Sequence, residues 1–203
     1  MRWLFLLLAF AVGCSINRPA HQGGSALFFE VIPFGDVGED ALAAVQAILT
    51  ARFGLPVRLR KPLPLPKDAY NASRNQFRAE TILKTAYKER TQSALRTIAV
   101  CDVDIYVEGL NFVFGIASEA LSCCLVSAAR LRDSFYGLRN DPKTFLARMK
   151  RLTLHEVGHT FGLPHCKSRC VMVFANSLAE LDATYDDYCP KCWAKIKAQL
   201  GQK

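Results

Sequence analysis

Three of the chain's four histidines fall within eleven residues, His155-Glu-Val-Gly-His-Thr-Phe-Gly-Leu-Pro-His165. His155 and His159 stand four apart, which on a helix puts both on one face with a rise of roughly 6 Å between them. Two imidazoles so placed can share one small cation. A catalytic zinc needs a third protein ligand and one open position. His165 supplies the third if the chain turns back sharply. Gly162 stands where positive φ is needed, and Pro164 stiffens the approach. Glu156 points away from the histidine face, so it is read as a general base for a metal-activated water and not as a ligand. No side-chain nucleophile is required, and no acyl-enzyme is expected. An HExxH segment alone is matched by many surface helices that carry a His pair. The added Gly162 and His165 at set spacing leave that plain reading little room.

Cysteines extend the pattern. Of eight in the chain, Cys166 directly follows the third histidine, Cys170 comes next, and Cys189 and Cys192 stand further on. C-x3-C and C-x2-C are ligand-pair spacings for a four-thiolate structural zinc. Disulfides are the alternative in an exported chain. Fixing Cys166 would also orient His165. Cys101, Cys123 and Cys124 are read as small buried residues, with a bridge from Cys101 to one of the adjacent pair as the alternative.

At these residues the chain resembles the archaemetzincins, whose pattern runs HExxHxxGxxHC, then CxM, then a terminal CxxC. The resemblance is tight from His155 to Cys192 and looser over LNFVFGIA and SAARLR. It implies a metzincin fold and two zincs. The catalytic zinc would sit on His155, His159 and His165 with Glu156 as base, and the structural zinc on Cys166, Cys170, Cys189 and Cys192. Met172 would be the methionine of the turn beneath the catalytic metal. The first cysteine pair encloses three residues, one fewer than the family pattern. The implied activity is hydrolysis of peptides or proteins, with an aminopeptidase habit on small peptides. The resemblance also makes Cys124 to Ala129 (CLVSAA) the candidate for the strand that would take substrate as an added strand; a plain interior strand is the alternative. Asp102, Asp104, Glu108 and Glu119 are the acids that could hold a free amino end, and none stands out. The rival reading is a catalytically inactive, zinc-stabilised binding protein of the envelope. An intact Glu156 speaks against it.

The elements that must position these groups follow from periodicity. Leu27 to Phe34 and Val57 to Arg60 read as strands, with a helix over Glu39 to Phe53 between them. Lys61 to Asp68 is a proline-rich loop. A second helix is expected from a cap at Asn71 or Ser73 to about Lys88. Thr97 to Val107 reads as a strand with a phase slip near Cys101, and Phe112 to Ala117 and Cys124 to Ala129 as two more. Asp141-Pro142 opens a long helix to about Phe161, and a last helix covers roughly Cys192 to Gln199. The order predicts one α/β domain over 26–203, a mixed twisted sheet with an active-site helix and a zinc-bound C-terminal loop and helix.

Bulk properties fit that frame. The chain has 203 residues, 51% hydrophobic and 22% charged, with a net charge of +8. That describes a globular domain with a scattered basic surface, and no nucleic-acid module appears. The basic cluster Lys143 to Arg151 lies on the site helix. Residues 1–14 read as an export leader. The apolar run from Trp3 to Val12 is too short to span a bilayer, and Cys14 follows Ala11-Val12-Gly13 much as in a lipobox, with Ala11 where leucine is usual, making it the candidate lipidation site; a plain cleaved signal is the alternative. Residues 15–25 form a polar tether. The expectation is an exported monomer of the cell envelope, lipid-anchored and facing the periplasm or exterior. The tether is too short for a covering pro-segment, so no activation by cleavage is expected.

Overall fold

The computed structural model describes residues 27–202. The leader, the tether and Cys14 lie outside the described residues. In chain order the elements are β1 (Phe29–Phe34), α1 (Glu39–Phe53), β2 (Val57–Leu59), β3 (Tyr70–Asn71), β4 (Gln76–Arg78), α2 (Ala79–Glu89), β5 (Arg96–Cys101), β6 (Ile105–Tyr106), β7 (Gly115–Ser118), β8 (Cys123–Ser127), α3 (Pro142–Thr160), α4 (Leu178–Ala183) and α5 (Pro190–Leu200). Five strands form one sheet in the order β2-β1-β5-β8-β7. All neighbours are parallel except β7, which runs antiparallel to β8. β3, β4 and β6 make a small second sheet.

β1, β5 and β8 are buried along their whole length, as parallel strands covered on both faces must be. Their side chains alternate between two cores. Phe29, Val31, Ile98, Val100, Cys124 and Val126 pack with α1, α3 and the C-terminal segment. Ile32, Phe34, Ala99, Cys101, Cys123 and Leu125 pack under α2. The result is helices on both sides of a mixed sheet, the α/β class read from the sequence.

Three elements differ from expectation. The second helix begins at Ala79, not near Asn71 or Ser73. Asn71 does use its side chain as a cap, but for a turn: its Oδ1 accepts from the Ser73 hydroxyl at 2.8 Å and the Arg74 N–H at 3.3 Å. Asn75 takes φ 53° there, and the chain folds back as β3 and β4. Thr97 to Val107 is two strands in two sheets, broken where the alternation slips. α4 shows no signal long enough to be read as a helix from periodicity.

The basic cluster on α3 is not a free solvated face. Arg148 is buried and pairs with Asp133 at 2.7 Å and Asp182 at 2.8 Å. Lys150 pairs with Asp186 at 2.8 Å, and Arg151 donates to the Thr184 carbonyl at 3.1 Å. These contacts strap the C-terminal segment onto the site helix.

Cys101, Cys123 and Cys124 are free and buried. In the β5–β8 register Cys101 faces Ser127, while Cys123 faces Thr97. Four residues of strand separate them, roughly 13 Å at about 3.3 Å per residue, too far for a bridge. Burial pushes the Cys101 thiol up to about 12, Cys123 to about 11 and Cys124 well above its ordinary value. A raised thiol stays neutral below that value, so all three should be inert near pH 8. Iodoacetamide at pH 8 is expected to leave them unlabelled in the folded protein and to label all three in denaturant, read by peptide mass spectrometry. Native labelling at the denatured rate would contradict their burial.

Candidate active site

α3 starts where Asp141 accepts from the Lys143 N–H at 3.1 Å and from the Thr144 hydroxyl at 2.7 Å, with Pro142 in the first turn. It stops at Thr160. Gly162 follows at φ +73°, a conformation that suits glycine, and the chain reverses toward His165.

The reversal places the imidazoles. Nδ1 of His159 lies 2.7 Å from the Leu163 carbonyl, and Nδ1 of His155 lies 2.9 Å from the Val171 carbonyl. A carbonyl only accepts, so both Nδ1 atoms carry the proton and both Nε2 atoms present bare lone pairs. Those two Nε2 atoms face each other at 3.0 Å. The ring of His165 closes the group, with centroids 5.3 Å from His155 and 4.9 Å from His159, and one ligand atom from each of the three lies within 4.8 Å of the others. Burial holds His155 down to about 4 and lowers His159, so both stay neutral near pH 7. Facing lone pairs repel unless a cation lies between them. Zn–N bonds of about 2.0–2.1 Å in a tetrahedron require N···N edges of about 3.3 Å, so this donor set fits zinc.

Glu156 is 7% exposed and makes no side-chain hydrogen bond among the described residues. Burial alone raises its carboxyl to about 8. It lines the same cleft as the three histidines, a cavity of about 310 Å³. Clearance for it comes from Gly115. A Cβ there would lie 2.6 Å from the Leu125 carbonyl oxygen and 2.8 and 2.9 Å from the Glu156 side chain. Met172 is fully buried against Gly158, in the turn of α3 between His155 and His159. It therefore packs on the turn of the helix that carries both imidazoles.

The four cysteines of the C-terminal segment come together as well. One sulfur from each lies within 4.8 Å of the others, and Cys166 and Cys189 are 4.0 Å apart. All four are free. Zn–S bonds of about 2.3 Å give tetrahedral S···S edges of about 3.8 Å, which this cluster matches and a disulfide does not. Burial raises Cys170 and Cys192. Against the burial that opposes it, hydrogen bonds from the Cys192 N–H and neighbouring thiols bring Cys189 down to about 7. The two clusters share backbone: the Val171 carbonyl that orients His155 follows Cys170, and the Cys166 N–H donates to the Met172 carbonyl at 2.8 Å.

The model of peptidase family M54 matches residues 20–198. The chain belongs to the archaemetzincin family. It is 38% identical to the archaemetzincin of Pyrococcus abyssi over 177 residues, 84% of this chain and 94% of that one. Among solved structures, archaemetzincin from Methanopyrus kandleri superposes with a TM-score of 0.76 at 31% identity, over 90% of this chain and all of that one. A zinc-dependent peptidase from Methanocorpusculum labreanum gives 0.71 at 26% identity, over 83% and 99%. The chain is therefore a zinc metallopeptidase with the archaemetzincin fold.

One expectation is corrected. The strand over Cys124 to Ala129 cannot accept a peptide, because β8 is paired on both sides, to β5 and β7. The edge strand that borders the cleft is β7. The Ser127 N–H donates to the Phe114 carbonyl at 2.9 Å, so by alternation Gly115 and Ala117 turn their N–H and C=O groups outward. Both line the cavity. Within LNFVFGIA nothing marks Gly115, because clearance between a strand and a helix side chain leaves no local signal in a sequence. Gly115→Ala is expected to lower kcat about 10- to 100-fold by displacing Glu156, with zinc content unchanged. Unaltered kcat in steady-state assays would show that Glu156 does not need the space.

Proposed function

We propose that this archaemetzincin hydrolyses peptide bonds with His155, His159 and His165 as zinc ligands and Glu156 as general base. The observation that carries the reading is the pair of proton-free Nε2 atoms at 3.0 Å, closed by His165, with a carboxylate in the same cleft that has no hydrogen-bond partner among the described residues. Zinc bound there supplies the charge that acidifies a water, polarises the scissile carbonyl and favours ionised Glu156. Glu156 takes the proton from the attacking water and gives it to the departing amine. The Leu163 and Val171 carbonyls keep the two helix imidazoles in one tautomer and orientation. The peptide lies as an added strand on Gly115 and Ala117 of β7. Leu110, Phe112, Phe114, Leu152, Val173 and Leu181 line the cavity beside it, which favours an apolar substrate side chain. The thiols of Cys166, Cys170, Cys189 and Cys192 hold a second, structural zinc. The leader before Cys14 supports a peptidase of the cell envelope, tethered there by lipid.

The finer reading is release of residues from a free amino end. Asp102, Asp104 and Glu108 are paired with Arg132, Arg130 and Arg78 at 2.9, 2.6 and 3.0 Å. Glu119 has no side-chain partner among the described residues. It follows β7, and its carboxylate lies against Gly162, 2.7 Å from where a Cβ would stand. That is just beyond the carbonyl end of α3, where a negative charge is disfavoured and a substrate ammonium would be welcome.

Elemental analysis is expected to find two zincs per chain. Glu156→Gln should keep both and lose at least about 100-fold in kcat; a Gln variant at full speed would remove the base from its role. Wild-type protein should prefer peptides with a free amino end over N-acetylated ones. Glu119→Gln should raise KM about tenfold for the free peptides only. Equal cleavage of both by the wild type would refute the aminopeptidase reading, and an unchanged preference in Glu119→Gln would refute the role of Glu119 alone.

A further inference from the structure

The three imidazoles are not held alike. His155 and His159 are each oriented by a backbone carbonyl. His165 is exposed and makes no hydrogen bond among the described residues. Its ring neighbours are the other two histidines and Phe174, whose centroid is 5.0 Å away with the planes at 62°. Phe174 is 58% exposed, among the most exposed large apolar side chains of the described residues. Little core packing holds such a ring in place, so burial does not account for it. The backbone puts it there: the Cys166 N–H donates to the Met172 carbonyl at 2.8 Å, and this sets the two arms of the loop side by side, with Phe174 against His165.

We propose that Phe174 is the positioning residue for His165. An imidazole on an exposed loop can rotate about its Cβ–Cγ bond, and metal binding must then stop that rotation. An edge-to-face ring contact in the metal-free protein removes part of that freedom beforehand, which raises affinity by preorganisation. Among the described residues Phe174 fills for His165 the place that carbonyls fill for His155 and His159. Because Phe174 also lines the cleft, a role in substrate contact alone must be told apart from it. The proposal rests on His155, His159 and His165 being the zinc ligands.

The test is zinc affinity at the histidine site of the full chain, by competition with a chromophoric chelator while the thiol site stays occupied. Phe174→Ala and Phe174→Leu should weaken binding about three- to tenfold, and Phe174→Trp should restore it. In a His165→Ala background, Phe174→Ala should add nothing, since the coupling runs through that ring. Unchanged affinity in Phe174→Ala with a raised KM would make Phe174 a substrate contact only and overturn the proposal. So would an undiminished effect of Phe174→Ala in the His165→Ala background. A wild-type chain with no zinc at the histidines would instead overturn the ligand assignment. Should Phe174→Ala not fold, the Leu and Trp variants carry the same comparison.

Discussion

Two proton-free nitrogens held 3.0 Å apart are the arrangement on which the remainder of this domain turns. Without a cation, the helix rotamers that create it are opposed by lone-pair repulsion, and only anchoring from behind keeps them in place. The anchors are main-chain carbonyls at Leu163 and Val171. Both belong to the segment after α3, so the helix must end abruptly and the chain must return beneath it. Gly162 makes the stop possible. Gly158 lets Met172 and Tyr188 come close enough for the returning chain to pack against the helix. A Cβ at Gly158 would collide with the Met172 sulfur and stand 3.0 Å from the Tyr188 ring, so these side chains would have to give way.

A returning segment with little regular structure needs other means of staying put. Among the described residues two kinds occur. The sulfur cluster joins Cys166 and Cys170 to the base of α5, so the loop between His165 and Met172 is closed at both ends. Side chains of α1 and α3 supply the second. Arg148, Lys150 and Arg151 reach from α3 to Asp182, Asp186 and Thr184. Arg52 of α1 lies over Trp193 and pairs with Asp187. Exposed pairs of this type are individually weak, but Arg148 is buried, and removing Asp182 would leave two of its guanidinium nitrogens without an acceptor there. The strapping thus concentrates on the stretch that aims His155 and carries His165.

The chemistry was legible in the sequence because zinc ligation is written in residue type and short spacing. His155, His159, His165 and the four C-terminal cysteines meet in space as their spacings imply, and Glu156 lies beside the histidines. The sheet was legible in β1, β5 and β8, whose apolar runs are long enough to be strands and little else. What escaped depended on pairing. CLVSAA has the composition of a strand, but composition does not say whether its edges are taken, and β7 on its flank is only four residues long. Asn71 reads as a helix cap by residue type, but its side chain closes a turn instead, because an Asx side chain serves a turn as readily as a helix. The arginines of α3 looked like solvated charge because their partners are 15 to 34 residues distant.

Glu156 shows what the site asks of the fold. A carboxylate that is 7% exposed and has no hydrogen-bond partner among the described residues is expensive to keep ionised. Evolution's usual remedy, a nearby arginine or a backbone N–H, would tie up the lone pairs that must receive a proton. Arginines are plentiful in this chain, and they neutralise Asp102, Asp104, Asp133 and Asp182, yet among the described residues none hydrogen-bonds or pairs with Glu156. Gly115 goes further and vacates the volume next to it. The pocket is therefore built at some expense of stability, in the way functional sites commonly are. In the proposed mechanism its charge balance would come from a dication on the imidazoles, so metal affinity and catalytic competence would be set by the same few ångströms of structure.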